Sequence, residues 1–187
     1  MGYLAEEAGY PFNQLPMAAY KSLAGGIEGW GSICGALIAP IQLIGMVADG
    51  EEKSAMINEL LSFYTRHPFP EYQTGEFDLP RVTVGSTLCH VSVTKWMEES
   101  GMGPRGSAER KARCAGLVAD LCKFTADMLN KHADGTFAAG EFTPPSIGAD
   151  CMSCHGENVE PYAFGKESCI ECHADLTGDI HAKFLKE

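Results

Sequence analysis

The chain has 187 residues, of which 45% are hydrophobic and 21% are charged, and its formal net charge is −11. This composition is typical of a globular chain with one moderate core and excludes a chain that is disordered throughout. The acidic charge argues against nucleic acid and anionic membranes as partners. No apolar run approaches the roughly 18 residues that a transmembrane helix needs.

We predict five helices: 16–24, 32–44, 51–64, 92–100 and 107–130. Apolar residues recur at helical spacing in the second, third and fifth, whereas the first begins at a proline and ends before two glycines, and the fourth is capped by a glycine. Pro40 is expected to kink or split the second helix, because proline removes a backbone donor and clashes with the preceding turn. The last helix has the clearest pattern, with Leu117 and Leu121 on one face and Ser107 at its start. Residues 71–91 are predicted to be irregular or extended.

Two copies of the Cys-x-x-Cys-His pattern lie near the end of the chain: Cys151, Cys154 and His155, then Cys169, Cys172 and His173. In c-type cytochromes the two thiols bind the haem vinyl groups and the histidine ligates the iron. One such pattern can occur by accident, whereas two within 23 residues predict two covalently bound haem c groups per chain. The alternative is a zinc ribbon, whose paired Cys-x-x-Cys knuckles have this separation but do not need a histidine after each.

The predicted fold class is mainly α, with a helical N-terminal domain followed by a small irregular dihaem segment. The domain covers residues 1–132, a linker rich in Gly and Pro covers 133–150, and the dihaem segment covers 151–187. The final 37 residues are too few to bury two haems by themselves. The haems are therefore expected to pack on the helical domain, on each other or on a second subunit.

The second axial ligands are predicted among four histidines outside the motifs: His67, His90, His132 and His181. His181 lies within the haem segment and His90 directly follows Cys89, so these two are the first candidates. His132 ends the last predicted helix, and His67 fits a structural role at a helix end. Methionine ligation is the alternative, since the chain has 8 methionines. Bis-histidine ligation would give low-potential haems.

Four further cysteines lie in the helical domain: Cys34, Cys89, Cys114 and Cys122. Buried thiols, two disulfides and an iron–sulfur cluster with four thiolate ligands are all compatible with this number. Their spacing matches no ferredoxin pattern. Cys114 and Cys122 lie about two helical turns apart, on nearby but different faces of one predicted helix.

Much of the chain, from about residue 10 to 175, resembles the split-Soret cytochrome c family, within a wider group of cysteine-rich redox proteins. The specific parts are residues 88–96, which read Leu-Cys-His-Val-Ser-Val-Thr-Lys-Trp, and the terminal pair of haem motifs. Three other segments contribute to the resemblance: 31–37, 64–72 and 113–130.

This resemblance implies a homodimer with stacked bis-histidine haems, one axial histidine being donated across the dimer interface. It also implies an iron–sulfur centre in the helical domain. Cys34, Cys89 and Cys114 fall at family cysteine positions, but this chain has Met97 where the family has a further cysteine. Cys122 is a candidate substitute for that ligand.

The motifs favour an electron carrier over an enzyme, located in the periplasm or outside the cell. No secretory signal is visible at residues 1–9, so we expect it to have been removed from the mature chain. Redox proteins and a second copy of the chain are the predicted partners. Two alternatives are a small reductase that uses an open haem or the cysteine site, and an assembly in which haems of successive dimers conduct electrons.

Overall fold

The computed structural model describes residues 1–104, 106–140, 152, 155 and 165–168. The chain divides into two compact units, Met1–Phe142 and Thr143–Glu187. The first unit contains α1 (Gly2–Glu7), α2 (Gly35–Val47), α3 (Gly50–Arg66), α4 (Cys89–Ser100) and α5 (Ala108–Ala133), two 3-10 helices (Phe12–Gln14 and Met17–Leu23), and strands β1 (Pro68–Phe69) and β2 (Val82–Thr83). The prediction of a mainly helical fold is confirmed. In the described part of the chain, no helix is long and apolar enough to cross a membrane.

Helices α2, α3 and α5 pack against one another around the main core. Each contributes buried residues spaced four or seven apart: Leu37 and Ile44; Met56, Leu60 and Tyr64; Leu117, Leu121 and Met128. The predicted start of α5 is confirmed, because the Ser107 hydroxyl accepts a hydrogen bond from the Arg110 amide at 3.2 Å. The Glu109 carboxylate in the first turn and the Lys131 ammonium in the last turn both stabilise the helix through favourable interactions with its dipole.

Pro40 does not split the second helix, so that part of the prediction is wrong. It lies inside α2, which continues to Val47. The Pro40 ring is buried with Leu37, Leu43 and Ile44 of the same helix. Burial of this apolar face against the core offsets the loss of one backbone hydrogen bond.

Two other predicted elements differ from the structure in detail. The first predicted helix is a 3-10 helix, Met17–Leu23, and α4 begins at Cys89, earlier than predicted. The segment between α3 and α4 contains β1 and β2, which pair antiparallel with Phe69 opposite Val82. Sequence reasoning predicted an extended or irregular segment there but not the strand pair, because two-residue strands have no readable period.

The irregular segment between α3 and α4 is held by side chains of α4 and α5. The indole Nε1 of Trp96 donates to the Pro80 carbonyl at 2.9 Å. The Asp120 carboxylate accepts from the amides of Glu71 and Tyr72 at 2.7 and 2.9 Å. These contacts fix the backbone that leads to Cys89, the first residue of α4.

Candidate cysteine site

Backbone pairing places Cys34 and Cys89 on adjacent segments just before two helices. An isolated antiparallel bridge joins the residues that precede them. The Cys34 amide donates to the Thr87 carbonyl at 2.8 Å, and the Cys89 amide donates to the Ser32 carbonyl at 2.7 Å. Cys34 is the N-cap of α2 and Cys89 begins α4, so both thiols lie at helix N-termini. The helix dipole there favours a negatively charged sulfur.

Cys34 lies in a low-dielectric environment together with charged and polar groups. Burial raises the pKa of the Cys34 thiol above its ordinary value, and a hydrogen bond with Tyr64 and one with the Ala36 backbone act in the opposite direction. The charge of Cys114 also raises this pKa, whereas the Arg113 guanidinium lowers it. The two cysteines are therefore close enough to interact electrostatically.

Cys114 is half-buried on α5, and two guanidinium groups approach its sulfur. Nη1 of Arg110 lies 3.8 Å from Cys114 Sγ, and Nη1 of Arg113 lies 3.9 Å from it. Cys122 follows eight residues later, about 12 Å along the helix axis, and is exposed. Helix α5 therefore presents Cys114, and not Cys122, to the buried environment of Cys34.

The four cysteines predicted for an iron–sulfur cluster are only partly brought together. None of them forms a disulfide with another in the structure. Among the described residues, no group of three or more His, Cys, Asp or Glu side chains is placed to hold a metal ion. The structure thus brings Cys114 within electrostatic range of Cys34 and places Cys89 on the backbone segment adjacent to Cys34.

A cavity of about 630 Å³ opens beside Cys89. Its wall includes His90 and Met97 from α4, Arg110 from α5, and Trp30 from the loop before α2. Arg110 connects the two regions, because its Nη1 also approaches Cys114 Sγ. Met97 therefore lines the same cavity as Cys89, the first residue of α4.

The loop over residues 24–31 lines one side of this cavity, and two of its glycines approach α4 closely. A Cβ at Gly26 would lie 2.8 Å from Cys89 Cβ, and one at Gly31 would lie 2.9 Å from His90 Cβ. Ile27 in the same loop has φ of 62°, a left-handed conformation that is costly for a β-branched residue. Backbone strain of this kind concentrates at functional sites.

Two of the histidines considered as haem ligands are engaged elsewhere in the first unit. His132 uses both ring nitrogens, with Nδ1 3.0 Å from Glu52 Oε1 and Nε2 3.1 Å from the Val47 carbonyl oxygen. His67 packs its ring 4.6 Å from that of Phe63. Both arrangements stabilise helix ends, which fits the structural role considered for His67.

His90 has different surroundings from the other two. Its ring lines the open cavity next to Cys89, and its backbone amide donates to the Gly31 carbonyl at 3.1 Å. His90 is exposed. It is therefore the histidine of the first unit that is accessible to a group from outside that unit.

Most of the predicted haem ligands lie outside the described residues: Cys151, Cys154, Cys169, Cys172, His173 and His181. His155 is described, and it is helical and half-buried. A helical histidine is compatible with the single turn on which a Cys-x-x-Cys-His pattern presents its thiols and imidazole.

Sequence reasoning missed a buried polar trio formed by Tyr64, Ser92 and Arg113. The Tyr64 hydroxyl donates to Ser92 Oγ at 3.0 Å, and Nη2 of Arg113 donates to the same oxygen at 3.0 Å. The sequence contains a signal for this trio: Arg113 lies four residues before Leu117 and eight before Leu121, on the apolar face of α5. A charge on that face is unfavourable unless the interior provides partners.

Comparison with known proteins identifies similar chains. Residues 1–128 match the sequence model of a family described as a putative redox-active protein with the cysteine pattern C_GCAxxG_C_C. The split-Soret cytochrome c of Desulfovibrio desulfuricans (strain ATCC 27774 / DSM 6949 / MB) is 32% identical over 194 residues, which covers 99% of this chain and 69% of that protein.

A solved structure is similar as well. It is the structure of the split-Soret cytochrome c from Desulfovibrio desulfuricans ATCC 27774, and it is described as showing a novel iron centre in that protein. The TM-score is 0.82 at 32% identity, and the match covers 92% of this chain and 75% of the other. The similarity thus extends over both the helical domain and most of the remaining chain.

Proposed function

The chain belongs to the split-Soret cytochrome c family of redox proteins, and we propose that it transfers electrons through two covalently bound haem c groups. The observation that carries this proposal is the pair of terminal motifs: Cys151, Cys154 and His155, and Cys169, Cys172 and His173. Each motif contains the two thiols and the adjacent imidazole that haem c requires, so the donor set fits the group. Haem supplies one-electron chemistry at iron, and the chain supplies ligands and surroundings.

For the second axial ligands we propose His90 and His181. His90 lines an open cavity and is accessible, whereas both ring nitrogens of His132 are occupied by Glu52 and Val47. His181 lies outside the described residues, and we propose it because of its position in the haem segment. An accessible histidine on the surface of the helical domain is suited to ligate a haem of a second subunit. Bis-histidine ligation would leave neither iron with an open site.

We further propose an iron centre that uses Cys34, Cys89 and Cys114. The donor chemistry fits, since thiolates are the usual ligands of iron–sulfur centres. The placement fits in part, because Cys34 and Cys114 share one environment but no three donors among the described residues are gathered around one point. The exposed Cys122 is a poor substitute for the cysteine that Met97 replaces.

The proposed location is the periplasm or the cell exterior, where haem c is attached, and the proposed assembly is a homodimer with four haems. The short haem segment supports dimer formation, because 37 residues bury little haem surface. Gel filtration with light scattering at several concentrations tests the assembly. A mass that stays at two chains supports a closed dimer, and a mass that grows with concentration supports the haem-chain assembly.

Absorption and electron paramagnetic resonance spectra of the oxidised and reduced protein test the electron-carrier proposal. We expect low-spin signals from two bis-histidine haems per chain. His90→Ala should convert one haem to high spin or to a five-coordinate form. The His132→Ala variant, made in parallel, should leave both haems low-spin. Low-spin spectra that are identical in both variants would refute the role of His90.

A small reductase is a second candidate, favoured by the cavity beside Cys89 and His90. A substrate-binding haem needs an open iron site. Carbon monoxide binding to the native reduced protein distinguishes the two functions. A full spectral change at stoichiometric carbon monoxide supports a reductase, and no change supports an electron carrier.

A further inference from the structure

Both ring nitrogens of His132 face oxygen atoms that act only as hydrogen-bond acceptors. Nδ1 lies 3.0 Å from a carboxylate oxygen of Glu52, and Nε2 lies 3.1 Å from the Val47 carbonyl oxygen. A neutral imidazole has one N–H and one lone pair, so it can donate to only one of these two acceptors. The arrangement in the structure therefore requires the doubly protonated, charged form of His132.

The charged imidazole joins the ends of three helices. His132 lies in the last turn of α5, Val47 is the last residue of α2, and Glu52 lies in the first turn of α3. A positive charge is favourable at the C-terminal ends of α2 and α5, and the Glu52 carboxylate neutralises it. The end of α5 is thus attached to both of its neighbours through one side chain.

The proton on His132 is held by the groups at this corner. A hydrogen bond with Glu52 is the largest cause that raises the pKa of His132, the Val47 carbonyl acts in the same direction, and burial opposes them. Histidine is the side chain whose charge changes near neutral pH. The other charged residues at these helix ends are Asp49, Glu51, Lys53, Lys131 and Asp134.

The segment that follows α5, residues 134–140, is anchored on the same helical turn, and we call it the strap. The chain reverses at Gly135, which has φ of 67°. The Gly135 amide donates to the His132 carbonyl at 3.0 Å, and the Thr136 amide donates to the Lys131 carbonyl at 2.8 Å. This is the hydrogen-bond pattern of a Schellman motif, which needs an intact last helical turn.

Beyond this turn the strap has few contacts with the rest of the helical domain. Phe137 packs against the main core, and a Cβ at Gly140 would lie 2.6 Å from Glu59 Oε2 of α3. A cavity of about 260 Å³ remains beside the strap and is lined by Phe137, Met128 and Glu59. A segment with few buried contacts opens more easily than the core does, so its anchor decides whether it stays closed.

We infer that the two contacts of His132 form a pH-sensitive clasp, which keeps the strap closed while the imidazole is charged and releases it when the imidazole loses a proton. The proton passes to solvent, because the ring is partly exposed. Its loss leaves a ring nitrogen whose lone pair faces an oxygen, so one of the two contacts opens. The last turn of α5 then loosens, and the Schellman motif opens with it.

The direction of the effect follows from the raised pKa of His132. The clasp is fully closed below about pH 6.5, the ordinary pKa of histidine, and opens as pH rises through the folded-state value. The strap lies between α5 and the haem motifs along the chain, so the clasp makes the freedom of this connection depend on pH. This inference depends on the helical domain alone and not on the haems.

Hydrogen–deuterium exchange of the full haem-loaded chain, measured by mass spectrometry, tests the clasp. His132→Gln is compared with the unsubstituted chain at the same pH, because intrinsic exchange also becomes faster as pH rises. Glutamine has one donor group and one acceptor, so it imitates the neutral imidazole. At about pH 5.5 the peptide that contains Thr136 and Phe137 should exchange at least about threefold faster in the variant. At about pH 8.5 the two chains should exchange alike.

Lys131→Gln is the matched control, because it removes a positive charge from the same turn without touching either contact of His132. Lysine keeps its charge over this pH range, so the effect of this substitution should be the same at both pH values. A ratio between the His132→Gln and unsubstituted chains that does not change with pH would overturn the inference. An equal increase in peptides from the interior of α5 would also overturn it, because that result reports opening of the whole helical domain.

Discussion

Gly35 follows Cys34 at the start of α2 and lies tightly against the preceding 3-10 helix. A Cβ added at Gly35 would lie 2.3 Å from the Leu23 carbonyl oxygen and 3.0 Å from Leu23 Cβ. Gly45 lies in the same helix, is exposed, and has no heavy atom within 4 Å of the corresponding position. The same substitution by alanine should therefore change the stability in opposite directions at the two positions.

Gly45→Ala should stabilise the fold by about 0.5–1 kcal/mol, because alanine loses less backbone entropy than glycine in an exposed helix. Gly35→Ala should destabilise it by about 1–3 kcal/mol, because the Leu23 backbone must move to remove the overlap. Urea unfolding followed by circular dichroism measures both changes, provided that the m-values stay equal. A displaced Cys34 should also lower the non-haem iron content of the Gly35 variant. Equal shifts of the same sign in both variants would refute the packing reasoning.

Three further changes test other parts of the structure. The hydrogen bond with Glu52 is the largest cause that raises the pKa of His132. The stability that this pair contributes to the fold is therefore fully present below about pH 6.5 and is lost as pH rises through the folded-state pKa of His132. Glu52→Gln should remove this pH dependence from urea midpoints measured between pH 5 and 9, and a difference between the two chains that does not vary with pH would contradict it. Trp96→Phe leaves the Pro80 carbonyl without its indole donor and should cost about 1–3 kcal/mol in the same unfolding assay, whereas a loss below experimental error would argue against that bond. Asp120→Ala removes the acceptor of two backbone amides and should speed hydrogen exchange at both, with unchanged exchange as the contrary result.

The helical domain could be predicted from its sequence where a long apolar period coincides with a capping residue. This holds for α5, where Ser107 begins the helix and Leu117 and Leu121 are buried. The prediction fails where tertiary contacts determine the local structure, as at Pro40, whose buried ring keeps α2 continuous. It also fails at β1 and β2, which are too short for a period and whose connecting segment is held by Trp96 of α4 and Asp120 of α5.

The candidate site was predictable in its residue types but not in its grouping. The sequence identifies Cys34, Cys89 and Cys114 through the family resemblance, yet spacing alone could not tell that Cys122 is exposed. The difference in exposure between Cys114 and Cys122 depends on the helical turn over the eight residues between them and on which face of α5 packs on α2 and α3. The partners of Arg113 could not be predicted either, because the hydroxyls of Tyr64 and Ser92 come from two other helices.

The number of haems bound covalently to one chain tests the central proposal most directly. Intact mass together with haem absorbance of the purified mature protein should give two haems per chain. Replacing Cys151 and Cys154 by serine should leave one haem, and replacing Cys169 and Cys172 as well should leave none. A colourless unsubstituted chain that contains zinc, or a haem count unaffected by these substitutions, would contradict the proposal.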